Sequence, residues 1–338
     1  MPHGVTFWTE GGASLGMGHV MRSINIARAL DSLDVPSHFL VNNDHAVIER
    51  LEAANLYHLT CPMESGCGCK LSSGVVVMDT KKDVSGKVRL LRENGKKVVL
   101  IDNDTPASAL ADRVVVPSAL PRRGLCGNAV SGRDYLIIGD NFRYAKRRVE
   151  YSSPLKVLVT MGGSDPNSLT EKVVEALWDF DGIEATVVIG PAARPTNRLE
   201  GLVSSGNHRF RFLRNVRDMA PVMASSHLAF TAVGTTIYEL AYMGVPSLLI
   251  ANYPGDEPDL RGFEGLGTSL SLGYFRDVKA SDIRGALRRL QMDRAFWELM
   301  SSRGRALTDG RGAQRIALLI ESLTGDGENF IKTSNGVH

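Results

Sequence analysis

The run Gly16-Met17-Gly18-His19-Val20-Met21-Arg22 sets a histidine directly behind two glycines. It follows a short β-rich stretch and opens a helical pattern. Gly16 and Gly18 therefore remove side chains where the backbone must turn tightly and approach a ligand. Backbone N–H groups of a first helical turn face such a ligand and favour negative charge by about 0.3–1 kcal/mol. The positive end of the helix disfavours imidazolium, so His19 is expected to stay neutral, as a general base must be. The plainer alternative is a histidine that caps the turn.

Two further runs combine glycines with hydroxyls behind a strand. In Met161-Gly162-Gly163-Ser164-Asp165-Pro166-Asn167 the strand ends in two glycines and a serine before a helix starts, which is the pattern of an anion cradle. Ser164 or Asp165 could equally cap that helix. In Thr231-Ala232-Val233-Gly234-Thr235-Thr236-Ile237-Tyr238-Glu239, Gly234, Thr235 and Thr236 offer N–H and O–H donors to a diphosphate. Glu239, one turn in, could accept from both hydroxyls of a ribose. Ile237, Leu240 and Met243 already define the apolar face, leaving a solvated surface charge as its alternative role. Asp79 and Asp102 end strands and could orient His19, bind a sugar or cap a turn.

A dinucleotide fingerprint G-x-G-x-x-G fails here, because Met21 stands at the third glycine position and Asn42 and Asn43 replace the ribose-binding acid. Three of the four cysteines crowd together as Cys61, Cys67 and Cys69, with Cys126 apart. Their gaps are irregular and a fourth ligand is not apparent, so reduced loop thiols are expected rather than a metal site.

These residues need elements to hold them. With 338 residues, 43% apolar and 22% charged, the chain is long enough for two globular domains of about 150 residues each. A formal net charge of +2 gives no electrostatic argument for nucleic acid. No apolar run reaches the roughly 18 residues of a membrane span, and no signal-peptide pattern opens the chain, so a cytoplasmic location is expected. Strands are expected at 5–8, 38–42, 75–78, 98–101 and 114–116, alternating with helices at 20–30, 45–54 and 86–94. The second half repeats the alternation, with strands at 156–161, 185–189, 210–213, 228–231 and 246–251. Its helices are expected at 169–178, 218–225, 235–243, 281–290, 294–303 and 312–323. Such βαβ alternation predicts an α/β fold of parallel sheets covered on both faces. The expected division is a domain at 1–148, a second at 149–324, and a disordered polar tail at 325–338. The charged stretch 141–154, with Arg143, Lys146, Arg147 and Arg148, reads as a solvated linker. Two doubly wound halves would bind a ligand in the crevice between them.

The three runs together, in order and spacing, resemble the pseudaminic-acid pathway hydrolases, which act on UDP-2,4-diacetamido-2,4,6-trideoxy-β-L-altropyranose. The resemblance covers about residues 5 to 320 and extends to the spore-coat polysaccharide proteins. It implies a GT-B fold like that of the MurG-type transferases, with two Rossmann-like domains facing a central cleft. It also implies that His19 activates a water that displaces UDP at the sugar C1 with inversion, without metal or cofactor. By the same carry-over, Gly163, Ser164, Gly234, Thr235 and Thr236 would hold the diphosphate. Glu239 would hold the ribose, and the backbone near 213–216 would meet the uracil. Gly16, Gly18, Arg22 and Asp79 would touch substrate.

Two stretches depart from that pattern. The family's Ile-Asp-His-Tyr corresponds here to Val77-Met78-Asp79-Thr80-Lys81, where only the aspartate is kept. The Asn-Gln pair expected after Pro246 is replaced by Ala251-Asn252-Tyr253-Pro254-Gly255-Asp256-Glu257. Both fall on the sugar side, so a transferase of the same fold, and a nucleotide-sugar-binding protein without turnover, remain alternatives. The partner expected in each case is a UDP-sugar, with no nucleic acid, no integral membrane segment and no prediction of oligomeric state.

Overall fold

The structure, a computed structural model, describes residues 4–12, 15–64, 71–146 and 150–325. By its internal contacts the chain divides into two units. Met1–Gly12, Gly18–Gly139 and Gly310–His338 form the first, and Ala13–Met17 with Asp140–Asp309 form the second.

The first unit is built on seven strands: β1 (Val5–Thr9), β2 (Ser37–Val41), β3 (His58–Thr60), β4 (Val75–Asp79), β5 (Lys97–Ile101), β6 (Arg113–Val116) and β7 (Ala129–Ser131). All pair in parallel, in the order β3-β2-β1-β4-β5-β6-β7. Helices α1 (Gly18–Asp31), α2 (His45–Ala53) and α3 (Ser85–Glu93) cross between strands. Every residue of β1 and β4 is buried, as a strand covered on both faces requires. Fully burying each valine of β4 contributes about 1.5–3 kcal/mol. The order reverses direction between β1 and β4, the switch point at which doubly wound sheets bind ligands.

The second unit opens with the short helix α4 (Asp140–Tyr144) and carries β8 (Leu155–Thr160), β9 (Ile183–Ile189), β10 (Phe210–Arg214), β11 (Leu228–Ala232), β12 (Ser247–Ala251) and β13 (Ser269–Tyr274). Its sheet is again parallel, ordered β10-β9-β8-β11-β12-β13, with the switch point between β8 and β11. Its remaining helices are α5 (Leu169–Leu177), α6 (Asn197–Ser205), α7 (Ala220–Ala224), α8 (Thr236–Tyr242), α9 (Glu257–Leu266), α10 (Ala280–Met292) and α11 (Arg294–Arg305). The chain then returns to the first unit as α12 (Gly312–Glu321), which buries Ile316, Ala317 and Ile320 and packs against α1. A Cβ on Gly312 would lie 2.1 Å from the Leu136 carbonyl oxygen, so only glycine lets α12 enter there.

Three expectations change. Residues 310–324, assigned to the C-terminal half, belong by their contacts to the first unit, because the apolar face of α12 is covered by α1. The tail lies outside the described residues from 326 on. The stretch 141–154 is not simply a solvated linker: Phe142 is buried within α4, and the Tyr151 hydroxyl donates to the Leu290 and Gln291 carbonyls at 3.0 and 2.6 Å. Lastly, Cys61 is disulfide-bonded rather than a reduced thiol. Cys126 is free, and Cys67 and Cys69 lie outside the described residues.

Candidate active site

The carboxyl ends of β1, β4 and β5 gather a compact ionic cluster. Gly18 opens α1 and puts His19 in its first turn, with Arg22 three residues on and hence on the same helix face. Asp79 is the last residue of β4, and Asp102 follows β5. The backbone of Asp102 sits in the left-handed region at φ 54°, which aspartate tolerates better than most residues.

His19 Nδ1 lies 2.5 Å from Asp79 Oδ1. Arg22 grips the same carboxylate with both prongs, Nε to Oδ2 at 3.0 Å and Nη2 to Oδ1 at 2.6 Å. Its third nitrogen, Nη1, donates to Asp102 Oδ2 at 3.0 Å, and Lys81 Nζ meets Asp102 Oδ1 at 3.1 Å. Arg22 Nη2 also lies 3.0 Å from His19 Nδ1. Both nitrogens point at one acceptor oxygen, and an ionised carboxylate can only accept. The ring therefore donates Nδ1–H to Asp79, which leaves the lone pair of the neutral imidazole on Nε2. This is the tautomer a base acting through Nε2 requires.

Exposure separates the members of the cluster. The Asp79 side chain is wholly enclosed and that of Arg22 is 9% exposed, whereas His19 retains 21%. Burial alone would lower the Arg22 pKa, but the charges of Asp79 and Asp102 outweigh it and keep the guanidinium protonated. Burial would raise the Asp102 carboxyl, but Arg22 and Lys81 outweigh it and hold it below the usual aspartate range. The cluster sets two carboxylates, Asp79 and Asp102, against two basic side chains, Arg22 and Lys81, beside His19. Arg22 and Asp79, expected to touch substrate, have their polar groups committed to one another and to His19, because the β4 terminus delivers the carboxylate straight under α1.

Neighbouring residues fix the loop that carries His19. The Asn42 side chain accepts from Gly11 N at 3.0 Å and donates to Gly11 O at 2.8 Å, a two-way clamp that an aspartate could not make. A Cβ on Gly12, at φ 121°, would fall 2.1 Å from Asp44 Oδ2, on the carboxylate whose Oδ1 caps α2. Gly16 adopts φ 74°, as its predicted tight turn requires.

In the second unit the predicted residues stand at the carboxyl ends of β8 and β11. Gly162 turns at φ 78°, and a Cβ on Gly163 would press to 3.0 Å against the Met17 side chain. Asp165 accepts from Leu169 N at 2.7 Å and Thr170 N at 3.0 Å and is the residue that holds the start of α5. Ser164 is thereby released from capping, and its hydroxyl has no partner among the described residues. The same is true of Thr235 and Thr236 at the start of α8, where Thr235 makes no side-chain cap bond. Gly234 is exposed. Glu239, half-buried on α8, has no side-chain hydrogen bond among the described residues, and burial pushes its carboxyl up to about 7. Residues 213–216 run off the end of the edge strand β10.

Sequence reasoning missed Gly190 after β9. Its Cβ would sit 2.3 Å from the Gly162 carbonyl oxygen and 2.5 Å from that of Gly163, so it supports the turn by close approach. It also missed the Asn167 amide, which donates to Asn252 Oδ1 at 3.0 Å, and Asp256, which accepts from Asn252 N and Tyr253 N at 3.1 and 3.0 Å. A strand followed by glycine is the one local signal for Gly190. Nothing local announces the amide pair.

Among the described residues no group of three or more His, Cys, Asp or Glu side chains is set to hold a metal, and no helix is long and apolar enough to cross a membrane. No protein-family model matches the chain. An uncharacterised protein of Methanocaldococcus jannaschii is 29% identical over 262 residues, which is 72% of this chain and 54% of that relative. The chain thus spans about half the length of that protein. The spore coat polysaccharide biosynthesis protein SpsG of Bacillus subtilis is 23% identical, covering 94% of this chain and 98% of SpsG.

Among solved structures, Acinetobacter baumannii MurG matches with a TM-score of 0.67 at 15% identity, covering 94% of this chain and 99% of MurG. The spinosyn forosaminyltransferase SpnP matches at 0.68 and 13%, covering 96% and 100%. The UDP-GlcNAc 2-epimerase of Neisseria meningitidis, bound to UDP-GlcNAc, matches at 0.63 and 12%, covering 94% and 100%. The chain has the GT-B fold, with two Rossmann-like parallel-sheet units.

Proposed function

We propose that the protein is a nucleotide-sugar enzyme in which His19 removes a proton from the attacking oxygen. The observation that carries the reading is the His19–Asp79 contact at 2.5 Å, with Asp79 enclosed and His19 open. Asp79 holds Nδ1–H, and Nε2 takes the proton of water. The water oxygen bonds to the sugar C1 from the face opposite UDP, the bond from C1 to the diphosphate oxygen breaks, and UDP leaves with that electron pair. The proton on His19 then passes to solvent. Donors that are already in place at the developing charge are worth the most to such a step.

The hydroxyls of Ser164, Thr235 and Thr236, unpartnered among the described residues, are suited to the diphosphate with the backbone of Gly163 and Gly234, and Glu239 to the ribose diol. The names of the structural neighbours, one of them bound to UDP-GlcNAc, support a nucleotide sugar as ligand. The substrate proposed first is UDP-2,4-diacetamido-2,4,6-trideoxy-β-L-altropyranose, hydrolysed in the cytoplasm for surface-polysaccharide or nonulosonic-acid synthesis. A second reading, sugar transfer, is favoured by the loop after β12. There the Asn-Gln pair of the hydrolase pattern is missing, and Asp256 accepts from the Asn252 and Tyr253 backbone amides.

Turnover in ¹⁸O-water tests the reading. Label in the free sugar supports attack at C1 by water, and label in UDP would contradict it. UDP release that begins only when an acceptor sugar is added would make the protein a transferase.

A further inference from the structure

We propose that Arg22, anchored by Asp102, is a positioning residue that fixes the Asp79–His19 pair and sets the pH at which His19 becomes a base. The inference rests on the reading of His19 given above, but its first test does not require turnover. All three guanidinium nitrogens are committed: Nε and Nη2 to Asp79, Nη1 to Asp102. The side chain is nearly buried, so it has little freedom to serve a ligand.

Its position gives two consequences. The fork on Asp79 leaves Oδ1 as the acceptor for His19 Nδ1–H, which fixes the ring tautomer. The guanidinium also stands 3.0 Å from that nitrogen, where it opposes the attraction that a bare carboxylate would exert on an imidazolium. Asp102, held at φ 54°, and Lys81 on its other oxygen tune that cation from outside the pair.

Other ionisable groups near α1 are engaged elsewhere. Glu10, after β1, accepts from Met63 N and Lys82 Nζ. His38 on β2 bonds Thr6 Oγ1. On α12, Arg315 donates to the Asp134 carbonyl, and Glu321 ends the helix. On α1 itself Arg28 and Asp31 lie at the far end. Among the described residues, Asp79 and Arg22 are the charged side chains within hydrogen-bonding distance of His19.

The test is a histidine-labelled NMR titration of the full chain, with His19→Gln used to assign the resonance. Arg22→Met should raise the His19 midpoint by about one pH unit, Asp102→Asn should lower it by about half a unit, and Lys81→Met should raise it by a few tenths. Opposite signs for Arg22→Met and Asp102→Asn are the signature of a charge-setting role, which loss of packing would not produce. Arg22→Lys keeps the charge without the fork and should hold the midpoint within about 0.3 units while kcat falls about tenfold at unchanged KM. If Arg22→Met misfolds, Asp102→Asn and Lys81→Met still give the two signs. Midpoints that do not move, or that all move one way, would overturn the proposal. Midpoints that move as stated in a protein that releases UDP from no donor would uphold it and overturn the reaction instead.

Discussion

At the carboxyl ends of β1, β4 and β5 the first unit gathers charged side chains that bond one another. At the carboxyl ends of β8 and β11 the second unit gathers glycines and hydroxyls, and the side-chain hydroxyls of Ser164, Thr235 and Thr236 bond nothing among the described residues. Both sheets wind in the same order about the same kind of switch point, so topology does not account for the contrast. The difference lies in what each strand terminus delivers. The first unit closes its polar groups on themselves, and on the proposed reading the free ring nitrogen of His19 does the chemistry. On the same reading the second unit's donors stay open for an anion. A self-satisfied cluster holds one protonation pattern, as a base requires. An open cradle loses little by waiting in water and gains when charge arrives.

That contrast is broken most severely at His19. His19→Gln should lower UDP release by about 10²–10⁴-fold while UDP affinity, measured by calorimetry, stays within about twofold. The converse substitution belongs to the second unit. Thr235→Val combined with Thr236→Val should weaken UDP binding by about ten- to a hundredfold, as two hydrogen bonds to a charged group are lost, and should leave kcat at saturation within about threefold.

A smaller effect is expected at Glu239. Its carboxyl, pushed up to about 7, must be ionised to accept two ribose hydroxyls, so UDP affinity should fall several-fold between pH 8 and pH 6. Glu239→Gln should flatten that dependence. The same group bears on stability. The unfolded chain ionises it near 4.5, while the folded protein retains the proton up to about 7. Ionising it in place therefore costs stability that is fully felt above pH 7 and absent below the unfolded value. Glu239→Gln should raise Tm at pH 8 and leave it unchanged at pH 4. The smallest change is Asp165→Ala, which removes the cap of α5 and should cost about 1 kcal/mol by urea denaturation, with UDP affinity little altered.

The buried strands were legible because both faces are covered: β4 and β12 carry the unbroken apolar runs 75–78 and 248–251. The strands that escaped notice are edges. β13 alternates Ser269-Leu270-Ser271-Leu272 and is half-exposed, and β3 and β7 are three residues long, too short for any period to register. Helix α9 was hidden by Pro258, Gly262 and Gly265, which propensity counts against a helix and tertiary packing overrides. At the site, the glycine-histidine run was readable because its logic is local. The grip of Arg22 on Asp79 and Asp102 spans 57 and 80 residues, and only the parallel pairing of β4 with β1 and β5 brings those ends together. Asp79 and Asp102 were visible as acids at strand ends, but the sequence left their partner open.

The most direct measurement is the rate of UDP release at saturating UDP-linked 2,4-diacetamido sugar, for the wild-type and His19→Gln proteins side by side, with UDP affinity determined on the same samples. The account predicts a loss of at least about a hundredfold in rate with affinity unchanged. Rates within about threefold of one another, or a wild-type protein that releases UDP from no donor with or without an acceptor, would contradict it.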